Sequence, residues 1–191
     1  MKIILIRHAK SSHNKDNIFA GCKLDTGLTE EGRQEAKKLA AKIMSKFCFE
    51  NIICSNLKRS YQTGEIFRNE HRKVHKGEIE IDKSELLREV DVGVLSGLKP
   101  EVALKKFPKE YENINSGKID AWIFDQGETP ELLKQRFFKL REFLKNYQGR
   151  NLLLIGHAMF NRYIAEEWGE GSGVEFGHDC FLELTIVGGK I

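Results

Sequence analysis

The sequence predicts an α/β fold of three layers, a mainly parallel central sheet flanked by helices. Two observations predict it. Ile3-Ile4-Leu5-Ile6 and Leu152-Leu153-Leu154-Ile155 are continuous apolar runs without alternation, the pattern of strands covered on both faces. Amphipathic helical patterns alternate with these runs, as a parallel sheet joined by right-handed crossovers requires.

The elements follow in order. After the Ile3–Ile6 strand, Ala36, Leu39, Ala40, Ile43, Met44 and Phe47 recur at helical spacing behind a Thr29 N-cap and the acidic Glu30 and Glu31. Ile52-Ile53-Cys54 is a third, shorter strand. The basic stretch Arg68–Lys76 reads as a solvated connection, since interspersed charge is common on loops. From Gly77 to Gly127 the pattern is less regular, with a short helix around Glu101–Phe107, and this segment reads as a small insertion above the C-terminal strand edge. Thr129-Pro130-Glu131 then opens a second amphipathic helix, a cap followed by proline at the first helical position. It runs through Leu133, Phe137, Leu140, Leu144 and Tyr147 and stops before Gly149. Phe181–Val187 is expected as a late strand at or near an edge, and Gly169–Gly173 as a turn. With 191 residues, no repeat and no linker, residues 1–191 are expected to form a single domain.

Composition narrows the function classes. Hydrophobic residues make up 40% and charged residues 31% of the chain, as in an ordinary globular protein. The net charge of +3 is too small to call for nucleic acid, but it suits an anion-binding pocket. The apolar runs are too short to cross a bilayer, and nothing marks export, so the cytoplasm is the expected location. The four cysteines show no C-x-x-C spacing and are expected as reduced, buried thiols.

The chemistry lies at the strand ends. Ile6-Arg7-His8 and Ile155-Gly156-His157 each end an apolar run in histidine. Open α/β sheets bind ligands outside the carboxyl ends of their strands, so two imidazoles delivered there meet in one crevice. Arg7 adjoins one of them, and Arg59 follows the third strand near a helix start. Guanidinium groups bind phosphate through paired hydrogen bonds, so the four side chains define a pocket for a dianion.

The motifs around these residues resemble those of the histidine phosphatases, the superfamily that includes cofactor-dependent phosphoglycerate mutase. Leu5-Ile6-Arg7-His8-Ala9-Lys10-Ser11 with Asn14 resembles the signature motif, and Leu28-Thr29-Glu30-Glu31-Gly32 the start of the first helix. Ser55–Thr63 resembles the second arginine motif. Leu87-Arg88-Glu89 with Gly93 and Gly97 resembles the acid-bearing segment, Gly127-Glu128-Thr129 the loop before the long helix, and Ile155-Gly156-His157 the second histidine motif. The resemblance implies that His8 is the nucleophile, that Arg7, Arg59 and His157 hold the phosphoryl oxygens, and that Glu89 is general acid and base. Glu85 and Asp91 are close in sequence, and the spacing to Gly93 and Gly97 selects Glu89. Asn14 and Ser11 are candidates for phosphate contacts, with loop capping as their alternative. Ala9 stands where the family most often has glycine, which matters only if the backbone there needs a positive φ.

The expected activity is metal-independent hydrolysis of a small phosphorylated metabolite, with no cofactor. The segment between Gly97 and Gly127 contains no arginine, whereas the mutases carry an arginine pair there for a bisphosphorylated cofactor. Mutase activity is therefore the second expectation, and a non-catalytic phospholigand-binding relative the third. A cysteine phosphatase loop, C-x5-R-[ST], is excluded because Cys54 and Arg59 are one residue too close for backbone amides to encircle a phosphate. The histidines beside the pocket motif lack carboxylates at metal-ligand spacing.

Overall fold

The computed structural model describes residues 1–169 and 174–185. Strands β1 (Lys2–Arg7), β2 (Asn51–Ser55), β3 (Glu80–Ser84), β4 (Leu152–Gly156) and β5 (Phe181–Thr185) form one sheet in the order β3-β2-β4-β1-β5. All neighbours are parallel except β1 and β5. Only residues 181–185 of the expected last strand, and 169 of the glycine-rich turn, lie within the described residues.

The helices are α1 (Ser12–Lys15), α2 (Glu30–Met44), α3 (Lys58–His75), α4 (Pro100–Lys106), α5 (Pro108–Asn115), α6 (Pro130–Leu144) and α7 (Ala158–Glu167). Successive strand residues point to opposite faces, and the two faces have separate cores. Ile4, Ile6, Ile52, Cys54, Leu153 and Ile155 meet Leu39, Ala40, Ile43 and Met44 of α2 and Phe67 of α3. On the other face, Ile3, Leu5, Ile53, Leu152 and Leu154 meet Leu133, Phe137, Leu140 and Leu144 of α6 and Phe160 and Ile164 of α7. This is the expected three-layer architecture. Among the described residues, no helix is long and apolar enough to cross a membrane.

Three expectations are corrected. The segment from Gly77 is not all insertion, because β3 pairs with β2 at the sheet edge. Its sequence, Glu80-Ile81-Asp82-Lys83-Ser84, is polar because only one long side of an edge strand has a neighbour, and most of its residues remain partly exposed. The insertion proper starts after Ser84 and packs Leu87, Val90, Val92, Leu95, Trp122 and Phe124 into the core shared with α6 and α7. Secondly, Arg68–His75 is the second half of α3, ended by Lys76 in a left-handed C-cap at φ 53°. Phe67 and His71, buried one turn apart, hold its inner face against the protein. Thirdly, of the four cysteines only Cys54 is buried, and all four are free.

The start of α2 shows why its motif has the residues it has. Thr29 Oγ1 accepts from Gly32 N at 3.0 Å, and Thr29 N donates to Lys10 O at 3.0 Å. The helix is thereby seated on the loop that follows β1. A Cβ at Gly32 would run into the Lys10 carbonyl. Gly32→Ala is therefore expected to destabilise the protein by about 2–3 kcal/mol, since backbone on both sides resists the extra methyl. The urea midpoint checks this, and an unchanged midpoint would contradict the packing argument.

Candidate active site

Four parallel strands deliver the predicted residues to one crevice. Beyond β1 stands His8, beyond β4 His157, beyond β2 Arg59, and beyond β3 Glu89. Pairing of Arg7 with Gly156 puts the two histidines side by side, with ring centroids 4.9 Å apart. Arg7, His8, Asn14, Arg59 and Glu89 all line one cavity of about 240 Å³.

The tautomer of His8 follows from its contacts. Nδ1 lies 2.8 Å from Ala9 O, which can only accept, so Nδ1 carries the proton. Nε2 then presents a lone pair, and Arg59 Nε donates to it at 3.2 Å. The rest of the Arg59 guanidinium is anchored, donating to Leu24 O at 2.8 Å and Gly21 O at 2.9 Å. This side chain is only 1% exposed. Ala9 is not among the positive-φ residues, and its methyl packs with Leu28, Ala36 and Ile66, so alanine fits where the family most often has glycine.

His157 is fully buried at 0% exposure, and neither ring nitrogen has a hydrogen-bond partner. Buried polar groups are normally paired. Its two orphaned ring nitrogens stand beside His8, but His157 is not among the residues that line the cavity. Arg7 donates to Phe176 O at 3.3 Å while its Nε remains unpaired. Gly156, just before His157, is small because a Cβ there would strike Asn161 Oδ1; Asn161 Nδ2 in turn donates to Ile6 O at 2.8 Å and ties α7 to β1.

Glu89 is fixed by backbone amides. Its carboxylate accepts from Val90 N at 3.0 Å, Phe160 N at 3.1 Å and Met159 N at 3.3 Å. The last two donors open α7, directly after His157. A second carboxylate supports the segment that carries Glu89. Glu128 holds Arg136 through paired bonds of 2.8 and 2.7 Å, and Arg136 Nη1 donates to Arg88 O at 2.7 Å and Leu86 O at 3.2 Å. The Arg136 guanidinium also stacks 3.6 Å from the Phe160 ring centroid.

The structure separates the lesser candidates. Asn14 lines the cavity, but its Oδ1 accepts from Ser11 N at 3.1 Å and Ser11 Oγ at 2.7 Å. Ser11 is 0% exposed and lies behind the cavity at the N-cap of α1, bonded to Asn14 and His13. Its place is the capping alternative, and it is removed as a phosphate contact. Lys10 points outward to Glu31 at 2.9 Å. Cys54 is enclosed in the core, and burial pushes its thiol up to about 12, so it is inert at neutral pH.

Two histidines join the site that the strand-end argument did not supply. His13 lies 6.0 Å from His8 by ring centroids and bonds Thr26 Oγ1 at 2.7 Å. His178 lies 5.7 Å from His8 and donates from Nδ1 to His8 O at 2.7 Å. Neither ends an apolar run. A buried i+5 neighbour of the nucleophile motif was the only available signal for His13, and His178 arrives by tertiary folding alone.

Electrostatics follow from this crowding. Burial, then the other cations and imidazoles, holds His8 and His157 well below the ordinary histidine value. The same causes, burial first, lower His13 to about 3 and His178 to about 4. All four rings are neutral at pH 7. The unfolded chain protonates its histidines near pH 6.5, about the free value, while the folded chain does so only at lower pH. Protons therefore bind the unfolded state in preference, and stability is lost as pH falls from about 6.5 towards the folded values. The melting temperature is expected to drop between pH 6.5 and 5, with saturating inorganic phosphate reducing the drop because a bound dianion favours protonated imidazole. A flat profile without phosphate would contradict the neutral cluster.

The histidine phosphatase superfamily (branch 1) family model matches residues 3–185. The chain belongs to this superfamily. It is 38% identical to a 2,3-bisphosphoglycerate-dependent phosphoglycerate mutase of Parvibaculum lavamentivorans over 81% of this chain and 73% of that protein. It is 34% identical to phosphoserine phosphatase 1 of Hydrogenobacter thermophilus over 83% of this chain and 72% of that protein. In fold it is similar to Bacillus stearothermophilus YhfR, with a TM-score of 0.84, 21% identity and coverage of 98% and 92% of the two chains. Members of the superfamily among its relatives are thus phosphatases and mutases.

Proposed function

We propose that the protein is a metal-independent phosphomonoesterase for a small phosphorylated metabolite, working through a phosphohistidine on His8. The observation that carries this reading is the division of the cavity. Its guanidinium groups, Arg7 and Arg59, stand with His8, His13, Asn14 and Glu89, while Ile18, Phe19, Val92, Ile114 and Met159 supply the apolar part of the lining. That is one receptacle for a dianion under an apolar rim. A mutase must also hold a second anionic group of its substrate, and among the described residues the lining of this cavity offers no third arginine or lysine.

In this mechanism the phosphoryl oxygens take the donors of Arg7, Arg59, His157 and Asn14, and Arg59 Nε passes from His8 Nε2 to one of those oxygens. Nε2 then attacks phosphorus in line as the ester P–O bond breaks, and Glu89, which enters this step protonated from solvent, gives that proton to the leaving oxygen. The Glu89 carboxylate next takes a proton from water, whose oxygen attacks phosphorus and breaks the N–P bond. Inorganic phosphate leaves, and His8 and Glu89 return to their starting states. Fixed cationic donors supply the charge stabilisation that a metal gives other phosphatases. The four free thiols suit the reducing cytoplasm as its location.

Identity to a phosphoglycerate mutase favours the second reading, isomerisation. A panel of phosphate esters assayed in excess chelator, with bisphosphate-primed 3-phosphoglycerate as one member, separates the two. Phosphate release without added metal is expected, with an ester carrying an uncharged or apolar group preferred. Isomerisation outpacing release would establish a mutase, and a divalent-metal requirement would overturn the mechanism.

A further inference from the structure

At the end of α3 remote from Arg59, Cys48, His71 and His75 form a cluster that the phosphatase reading does not use. One ligand atom from each lies within 4.8 Å of the others. His71 and His75 are one helical turn apart, with ring centroids separated by 4.7 Å. Cys48 comes from the connection between α2 and β2. His71 is 5% exposed, and neither of its ring nitrogens has a hydrogen-bond partner. The backbone of Gly77 and Phe49 also lies beside the ring. A buried imidazole with both nitrogens unpaired needs a partner, and the side chains beside it that could share one are the His75 imidazole and the Cys48 thiol.

We propose that Cys48, His71 and His75 form a metal site for a borderline-soft divalent cation, zinc being the best fit, with water as the fourth ligand. Two histidines at i and i+4 present nitrogens from one helix face, and thiolate with imidazole is a donor set that selects zinc over magnesium or calcium. In a tetrahedral site with bonds of about 2.0–2.3 Å the ligand atoms stand about 3.3–3.8 Å apart. Cys48 and His75 are exposed, and rotation of their side chains is the movement by which the cluster would close. The Phe49 and Gly77 backbone beside the ring could hold the second nitrogen of His71 once the first binds metal, as outer-shell carbonyls do. Cys48 loses its proton on binding.

The site is structural in effect. It ties the last turns of α3 to the connection that leads into β2. Arg59 lies twelve residues earlier on the same helix, about 18 Å along its axis, so the metal takes no part in phosphoryl transfer. Chelation is expected to lower the melting temperature and leave turnover unchanged well below it.

The test uses reduced, metal-free full-length protein titrated with Co²⁺ and Zn²⁺. Wild type is expected to bind one equivalent of Co²⁺ with a thiolate-to-cobalt charge-transfer band and tetrahedral d–d bands, which Zn²⁺ abolishes. Zn²⁺ is expected to raise the melting temperature. Cys48→Ser should lose the charge-transfer band. His75→Ala, at an exposed position, should weaken zinc binding by more than the roughly 10–100-fold that loss of an outer-shell partner costs. Both should retain wild-type ester hydrolysis and lose the zinc-dependent rise in melting temperature. The proposal is overturned if wild type shows no charge-transfer band, if the band survives Cys48→Ser, or if the zinc-dependent rise persists in both variants. Persistence would place the zinc elsewhere, with the His8 cluster the obvious alternative.

Discussion

Replacing His8 with alanine is expected to lower kcat/KM for the preferred ester by at least about 10⁴-fold, because no neighbouring group can take over nucleophilic attack. His157 is near, but it is the fully buried N-cap of α7. His13 and His178 are each tied to another group by a ring nitrogen. The fold should survive, since among the described residues the His8 ring bonds only Ala9 O and Arg59 Nε. Removing one buried neutral imidazole should also reduce the acid sensitivity of the melting temperature, so activity and stability are expected to move in opposite directions at pH 5. Comparable turnover in wild type and His8→Ala would remove His8 from the chemistry.

Arg59→Ala is expected to damage both function and stability. Loss of a fixed cationic donor at the transferring group costs about 10²–10³-fold in kcat. The same guanidinium closes the Gly21 and Leu24 carbonyls, and leaving buried acceptors unpaired in a new cavity should cost about 2–4 kcal/mol. Arg59→Lys distinguishes these effects. A lysine keeps the charge but cannot reach two carbonyls and the phosphoryl group together, so it should recover part of the stability and little of the rate. If Arg59→Ala unfolds at the wild-type urea midpoint, the anchoring argument fails.

The sequence makes the inner sheet legible for a physical reason. β1, β2 and β4 are covered on both faces, so their central runs Ile3–Ile6, Ile52–Cys54 and Leu152–Ile155 are apolar and cannot be mistaken for surface. β3 escapes because an edge strand tolerates Glu80, Asp82 and Lys83, and the second half of α3 escapes because its outer face is charged. Phe67 and His71, a buried i, i+4 pair with no breaker before Gly77, are the signal this half of the helix carries in sequence. His75 extends that same spacing to the proposed metal cluster.

For the active site, local order decides what could be read. Arg7, His8 and His157 end or follow strands, and Arg59 opens a helix, so their meeting follows from topology. Ser11 carries the right chemistry but faces inward as a cap. Arg136 and Glu128 lie far along the chain from Glu89, and no spacing rule links a clamp to the loop it holds. His178 likewise reaches His8 only through the path of the chain after α7. Positions set by strand ends were readable in sequence, whereas positions set by long-range packing were not.

The central claim is that the phosphoryl group passes through His8. The most direct test is a single-turnover reaction with a ³²P-labelled or chromogenic phosphate ester, quenched in base during the first turnover and analysed by peptide mass spectrometry. The account predicts an acid-labile, base-stable phosphoryl group on the peptide containing His8, absent from His8→Ala and lost on the timescale of phosphate release. Phosphate release with no protein-bound phosphoryl group at any quench time, or the label on another residue, would contradict it.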